Sequence, residues 1–162
     1  MNGPDLLLPV IIGLPFVAAA LALAGGRVVG RRIGVVMPLA AATSFLLALR
    51  LAGLPSAHEP PLFRYDWIPA LQIGFTLRGD GFGLFFALLI SGIGVLVGVY
   101  ALAYLSDLGG SRLGRFYAAL AAFMGAMLGV ALADDLILLF VFWEMTSLTS
   151  FVLIGFWYEQ DI

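Results

Sequence analysis

The sequence predicts an all-α integral membrane protein, a bundle of about five transmembrane helices with a short external β-hairpin. Three observations predict this class. The 162 residues are 62% hydrophobic and 11% charged, whereas soluble domains are roughly 45–50% apolar and 25% charged. The mean hydropathy is +1.08. The apolar residues also fall into blocks of about 20, and at about 1.5 Å rise per residue such a block crosses about 30 Å of hydrocarbon.

The composition excludes several classes of function. The chain has no cysteine and one histidine, so we expect no disulfide, no thiol nucleophile, no bound metal and no cofactor. All eight basic residues are arginine, the formal net charge is -2 and no basic run occurs. Nothing in this charge pattern favours a nucleic-acid partner.

The first predicted span covers residues 6–24. A cleaved secretory signal is the alternative, and the small residues Ala22 to Ala24 favour it. However, the N-terminus carries Asp5 without a basic residue, and arginines follow the apolar block, so we expect a retained span. Pro9 and Pro15 predict a kinked helix whose freed carbonyl groups are satisfied by neighbouring helices.

The second predicted span, residues 33–53, carries Arg50 close enough to its end to reach the interface. A hairpin is predicted next, at residues 61–79. Apolar and polar residues alternate with period 2 on both sides of Pro69-Ala70, as two strands facing a surface would. The apolar positions are Phe63, Tyr65, Trp67, Ile73, Phe75 and Leu77.

Three further spans are predicted at residues 82–105, 116–133 and 136–157. Asp80, Asp134 and Asp135 directly precede two of these helices, where a carboxylate accepts hydrogen bonds from free amides, so we expect all three to be caps. Small residues recur at helical spacing in two spans and predict close helix packing. They are Ala87, Ser91, Gly94, Gly98 and Ala101, and Ala118, Ala122, Gly125, Gly129 and Ala133.

The arginines separate between alternate ends of the predicted helices. One end holds Arg27, Arg31, Arg32, Arg112 and Arg115, whereas the hairpin holds Arg64 and Arg78. Cytoplasmic loops carry the excess of basic residues in membrane proteins. We therefore expect the N-terminus and the hairpin outside, and residue 162 on the cytoplasmic side.

Glu144 is the ionisable residue that the pattern places near the middle of a span. A central charged residue disfavours insertion by roughly 2.5–3.5 kcal/mol, so its presence requires a reason. One hypothesis is a proton relay, with Ser147 on nearly the same helical face as a possible contact for water or a proton. The other is a protonated carboxyl that joins two helices by a hydrogen bond. The residues alone leave both open.

The run from Ala133 to Trp157, which contains Trp143-Glu144-Met145-Thr146-Ser147, closely resembles the antiporter-like membrane subunits. Asp80-Gly-Phe-Gly-Leu-Phe-Phe resembles the same family, which includes Mrp-type sodium/proton antiporters and the membrane arm of complex I. The residues after Glu144 look most like MrpA. The resemblance implies that residues 1–162 are the N-terminal transmembrane region of such a subunit, in a bacterial inner membrane. It also implies a transporter rather than an enzyme, with Glu144 as the family's intramembrane glutamate.

This sequence departs from that family in one respect. Family members continue through many more helices, one of which supplies a lysine to the glutamate, whereas this chain contains no lysine. We therefore expect the partners to be further helices of the same subunit, other membrane subunits, the lipid bilayer, protons and sodium. A proton-pumping subunit of a complex I-like oxidoreductase or a hydrogenase is the alternative function. A scaffold that only packs other subunits is the third.

Overall fold

The computed structural model describes residues 3–54, 59–68, 73–106 and 108–156. Within them lie five helices long and apolar enough to cross a membrane, with mean hydropathies of 1.6 to 2.5, and one two-stranded antiparallel sheet. The predicted fold class is confirmed: this is a multi-pass helical membrane protein with a hairpin. In chain order the elements are α1 (Leu7–Gly25), α2 (Val36–Ala52), β1 (Leu62–Ile68), β2 (Ile73–Arg78), α3 (Gly81–Tyr104), α4 (Gly110–Leu132) and α5 (Leu136–Gly155).

The helix ends differ from the hydropathy-based limits mainly in α4. This helix begins at Gly110, six residues before the predicted start of its apolar block, because hydropathy marks entry into lipid and not the first helical turn. A 3₁₀ turn, Gly30–Val35, leads into α2. The predicted end of the fifth span at residue 157 and the turn at Pro69-Ala70 lie outside the described residues.

Helix α4 is the centre of the bundle. In the most apolar 18 residues of α4, 50% of the residues are buried, whereas the value for α5 is 11%. Helix α4 also contacts α1, α3 and α5. Glycines allow its closest approach to α1. A methyl group on Gly114 would lie 2.5 Å from the Ala22 carbonyl oxygen, and one on Gly110 would lie 2.5 Å from the Gly26 carbonyl oxygen. The two helices therefore meet backbone to backbone at this end.

The small residues predicted to pack in α3 are all buried. Gly94 faces Met124 of α4, and Gly98 faces Met37 and Pro38 of α2. In the fourth span Gly125 and Gly129 are buried as predicted. The predicted alanines are half-buried, namely Ala118 and Ala122 of α4 and Ala133, the residue that follows it. The difference arises because α4 has neighbours on several sides, so its buried surface is broader than one stripe of small residues.

The proline in the middle of α1 has a specific partner on α2. Pro15 lacks an amide hydrogen, so the Ile11 carbonyl four residues earlier has no helical donor. The hydroxyl of Ser44, which is fully buried, donates to this carbonyl oxygen over 3.0 Å. A neighbouring helix thus satisfies the group that the proline frees, as the sequence predicts.

The hairpin pairs β1 with β2 from Leu62↔Arg78 to Ile68↔Ile73, with an irregularity between Asp66 and Ile68. It also pairs with the segment that joins α4 to α5. Leu77 forms an antiparallel bridge with Ala133, and the Asp134 amide donates to the Thr76 carbonyl over 2.9 Å. The α4–α5 connection is therefore bonded to the edge of the hairpin.

Asp134 does not cap α5, which corrects the expectation from its position. The Arg78 guanidinium donates two hydrogen bonds to the Asp134 carboxylate, 2.8 Å from Nε to Oδ1 and 2.9 Å from Nη2 to Oδ2. This hydrogen-bonded ion pair raises the pKa of Arg78. Asp135 and Asp80 are caps as predicted: Asp135 accepts from the amides of Ile137 and Leu138, and Asp80 accepts from that of Gly83.

Candidate functional site

The candidate site lies on α5, which is fixed at its hairpin end and along one side. Its Asp135 cap and the Arg78–Asp134 pair hold its first turn. Along its length it packs mainly on α4, where the ring of Phe142 lies against Gly129. Its buried side chains are Leu138 and Phe142. The remainder of the helix surface is at least partly exposed on the outside of the bundle.

Glu144 lies nine residues beyond its helix cap, in the middle of α5. Its side chain is exposed on the outer surface of the five helices. Among the described residues no ion pair or hydrogen bond to this carboxyl group is found. Within the part of the chain that the structure describes, the carboxyl group therefore does not join two helices.

Ser147 lies one turn after Glu144 and is exposed as well. Its hydroxyl donates to the Trp143 carbonyl oxygen over 3.4 Å. The structure thus brings the two predicted site residues to the same outer face of α5, although no hydrogen bond between them is found among the described side chains.

Three further hydroxyl residues surround Ser147, and none of them was predicted from the sequence as a site residue. Thr146 donates to the Trp143 carbonyl over 2.6 Å, Thr149 to the Met145 carbonyl over 2.7 Å, and Ser150 to the Ser147 carbonyl over 2.9 Å. Each hydroxyl donates its proton to the backbone, so its oxygen is left as an acceptor. The sequence signal that could have identified this group is the presence of four hydroxyl residues within positions 146–150 of an apolar helix.

The arginines of the described residues are not in the middle of any helix, where Glu144 lies. The arginines in the described residues lie at helix ends, in loops or in the hairpin. No group of three histidine, aspartate or glutamate side chains that could hold a metal ion is found among the described residues. Around Glu144 the described residues thus offer the chemistry of one carboxyl group and its neighbouring hydroxyls.

An apolar groove borders α5 on the side of Leu139, Trp143 and Thr146, next to the face that carries Glu144. It has a volume of about 560 Å³ and runs between α3, α4 and α5, with Thr146 as its polar lining residue. Its apolar walls include Phe82 and Phe86 of α3, Met127 of α4 and Trp143 of α5. Trp143, which precedes Glu144, is 58% exposed. On the face that carries Glu144, the exposed residues Phe140, Leu148 and Phe151 are apolar as well.

Two family descriptions match the chain. Residues 67–117 match "NADH-Ubiquinone oxidoreductase (complex I), chain 5 N-terminus", and residues 133–162 match "NADH:quinone oxidoreductase/Mrp antiporter, TM". The second match contains Glu144 and Ser147. The first covers the end of β1, then β2, α3 and the start of α4.

Similar proteins are subunits of antiporters. A probable K(+)/H(+) antiporter A/B subunit of Rhizobium meliloti (strain 1021) is 52% identical over 98 residues, which are 60% of this chain and 10% of that protein. A Na(+)/H(+) antiporter A1 subunit of Staphylococcus aureus (strain JH9) is 46% identical over 117 residues, 72% of this chain and 14% of that protein. The chain thus spans about a seventh or less of these relatives.

A solved structure agrees with the sequence comparisons. A chain of the Mrp complex from Dietzia sp. DQ12-45-1b superposes with a TM-score of 0.74 at 36% identity, over 91% of this chain and 16% of that chain. The fold, the two family matches and the antiporter relatives all agree with the resemblance seen in the sequence. The chain therefore belongs to the family of antiporter-like membrane subunits that Mrp antiporters share with complex I, and it corresponds to the N-terminal portion of an MrpA-type subunit.

Proposed function

We propose that this chain is part of the MrpA-like subunit of a multisubunit antiporter that exchanges a monovalent cation for protons, with Glu144 as a proton relay. The observation that carries this proposal is an exposed carboxyl group in the middle of α5. Sodium is the cation that the family resemblance implies. One relative is named for Na(+) and another for K(+), so the cation has to be identified by assay.

The exposure of Glu144 supports a relay within a larger assembly. A carboxylate that faced acyl chains would oppose insertion by roughly 2.5–3.5 kcal/mol. Further helices of the same subunit, or other membrane subunits, therefore cover this face of α5 and bring a cation to Glu144, because the arginines of the described residues lie at helix ends, in loops or in the hairpin. A cation beside the carboxyl group would stabilise its charged form, and burial between helices would stabilise its neutral form. A proton relay requires that both forms be accessible.

We place the protein in a bacterial inner membrane, with the arginine-bearing loops in the cytoplasm and the hairpin outside. The support is the separation of arginines between the two ends of the bundle. Since the related proteins are named as antiporters, the role is transport and not catalysis of a covalent reaction.

The test compares Glu144→Gln with Glu144→Asp in the assembled antiporter. Glutamine keeps the shape and most hydrogen bonds but cannot release a proton. In everted vesicles we expect Gln to abolish cation-dependent proton exchange, and Asp to retain part of it or to shift its pH optimum. Glu59→Gln is the matched control, because Glu59 is an exposed acid in the segment before β1. Wild-type exchange by a correctly assembled Glu144→Gln variant would refute the relay and leave a scaffold role.

A complex I-like proton pump is the second candidate function, and the description of the family matching residues 67–117 favours it. The two candidates differ in what drives transport. An antiporter exchanges ions down an imposed sodium or potassium gradient in vesicles without NADH. A redox-driven pump acidifies the same vesicles only when its electron donor and quinone are supplied.

A further inference from the structure

The end of the bundle opposite the hairpin carries a group of arginines that the proposed transport does not use. We call it the arginine patch, and it comprises Arg27, Arg31, Arg32, Arg112 and Arg115. The first three belong to the α1–α2 connection and the last two to the first turns of α4. Except for Arg112, which is half-buried, all of them are exposed.

Glycine contacts bring the two parts of the arginine patch together. A methyl group on Gly110 would lie 2.5 Å from the Gly26 carbonyl oxygen and 2.7 Å from the Gly30 Cα. Gly26 and Gly30 directly precede Arg27 and Arg31, and Gly110 is two residues before Arg112. Gly30 has a φ of +62°, which favours glycine at this turn. The backbone thus gathers the positive charges of two connections onto one surface.

The charges of the α1–α2 connection are not neutralised by the part of the chain that the structure describes. The ion pairs found there are Arg64–Asp66 and Arg78–Asp134, both at the hairpin end. Arg112 lies 5.9 Å from the centre of the Phe156 ring, and it forms no ion pair with a described residue. Arg27, Arg31 and Arg32 make no ion pair with any described residue.

Apolar side chains stand among these arginines. Val28 is 87% exposed and Val29 48% exposed, and both lie between Arg27 and Arg31. They lie three and four residues after the end of α1, a span of 19 residues, where a span of this length meets the headgroups. Exposed valines flanked by arginines fit an interface with acyl chains on one side and anions on the other.

We propose that the arginine patch is a binding surface for the phosphate headgroups of anionic phospholipids. A guanidinium group donates two parallel hydrogen bonds to a phosphate, and it is less strongly hydrated than an ammonium group. Basic surfaces between transmembrane helices are suited to such headgroups. An acidic protein surface would complement the charges equally, but it gives no account of the exposed valines at the level of the headgroups.

The experiment measures lipid binding to the assembled membrane protein by native mass spectrometry. The protein is offered equal amounts of phosphatidylglycerol and phosphatidylcholine with the same acyl chains. We expect wild type to prefer phosphatidylglycerol. The triple variant Arg27→Gln/Arg31→Gln/Arg32→Gln should lose about fivefold in this preference for each arginine, since a basic residue near an anionic surface contributes about 1 kcal/mol.

The matched control is Arg50→Gln/Arg64→Gln, which removes two exposed arginines at the hairpin end of α2 and in β1. We expect this control to keep the preference of wild type within about twofold, because neither arginine belongs to the patch. If the triple variant does not assemble, Arg31→Gln alone should show a loss of about fivefold. An unchanged preference in the assembled variant would overturn the proposal.

Two further arms identify the source of the anion. Free glycerol 3-phosphate should not displace phosphatidylglycerol at equal concentration, because it lacks the acyl chains that the valines contact. Displacement would show a site for a soluble phosphate compound and overturn the lipid assignment. Loss of a co-purifying protein from the triple variant, with lipid preference unchanged, would overturn it in favour of a protein interface.

Discussion

Replacing Ser44 by alanine tests how the proline break in α1 is tolerated. The change removes the donor to the Ile11 carbonyl, a 3.0 Å bond in a fully buried position, and Pro15 cannot supply another. Hydrogen bonds between helices in membranes contribute about 0.6 kcal/mol on average and up to about 1.7 kcal/mol. We expect Ser44→Ala to lower the free energy of unfolding by about 1.7 kcal/mol, because the Ile11 carbonyl loses its hydrogen-bond donor in an apolar environment.

The assay is the free energy of unfolding of the assembled membrane protein, titrated with SDS in lipid–detergent bicelles. Thr43→Ala is the matched control. Thr43 is exposed, and its hydroxyl bonds to the Leu39 carbonyl within the same helix over 2.8 Å, so its loss should be nearly neutral.

A double-mutant cycle isolates the role of the proline. In a Pro15→Ala background the new amide at position 15 can donate to Ile11, so Ser44→Ala should cost less than half as much as in wild type. Cavity effects of the proline replacement cancel in the cycle. An equal cost in both backgrounds, or equal costs for Ser44→Ala and Thr43→Ala, would refute the reasoning.

Three further predictions concern helix packing, the Arg78–Asp134 ion pair and the membrane orientation. Gly114→Ala should destabilise the protein by about 1–3 kcal/mol in the same titration, because the methyl group would meet the α1 backbone, whereas Gly13→Ala, with open space around it, should not. Arg78→Gln should speed hydrogen exchange at the amide of Asp134, but Arg64→Gln should leave it unchanged, since the Arg64–Asp66 pair is exposed at 3.6 Å. Single cysteines replacing Tyr65 and Val28, both exposed, should be labelled from opposite sides of the membrane by an impermeant thiol reagent; labelling from one side would refute the proposed orientation.

Hydropathy and period-2 alternation were sufficient to predict five helices and the hairpin, because both signals are local in sequence. Hydropathy did not predict the start of α4 correctly. Arg112 and Arg115 disfavour the hydrocarbon without breaking a helix, so Gly110–Leu132 extends beyond its apolar block. The role of Asp134 was also missed, since its partner Arg78 is 56 residues away and two adjacent aspartates before a helix give the same local signal.

The relative positions of Glu144 and Ser147 on α5 were predictable from the sequence, but their environment was not. The spacing of Glu144 and Ser147 places them on nearly the same helical face. The direction of that face depends on which side of α5 packs on α4, and this is decided by the contact of Phe142 with Gly129. Similarly, Pro15 predicts that the Ile11 carbonyl group has no helical donor, but the sequence does not indicate that Ser44 of α2 is the residue that donates to it.

The bonding of the α4–α5 connection to the hairpin sets the depth of the carboxyl group. The bridge between Leu77 and Ala133 and the Asp134–Thr76 bond attach the start of α5 to the hairpin, which the proposed topology places at the membrane surface. From Asp135, nine helical residues at about 1.5 Å each place Glu144 about 13 Å below that attachment, close to the midplane of a hydrocarbon layer about 30 Å thick. Sliding α5 along its axis would require breaking strand pairing and an ion pair together. For the proton relay that we propose at Glu144, access to the carboxyl group would therefore change by movement of the surrounding helices, because α5 holds the group at a constant level.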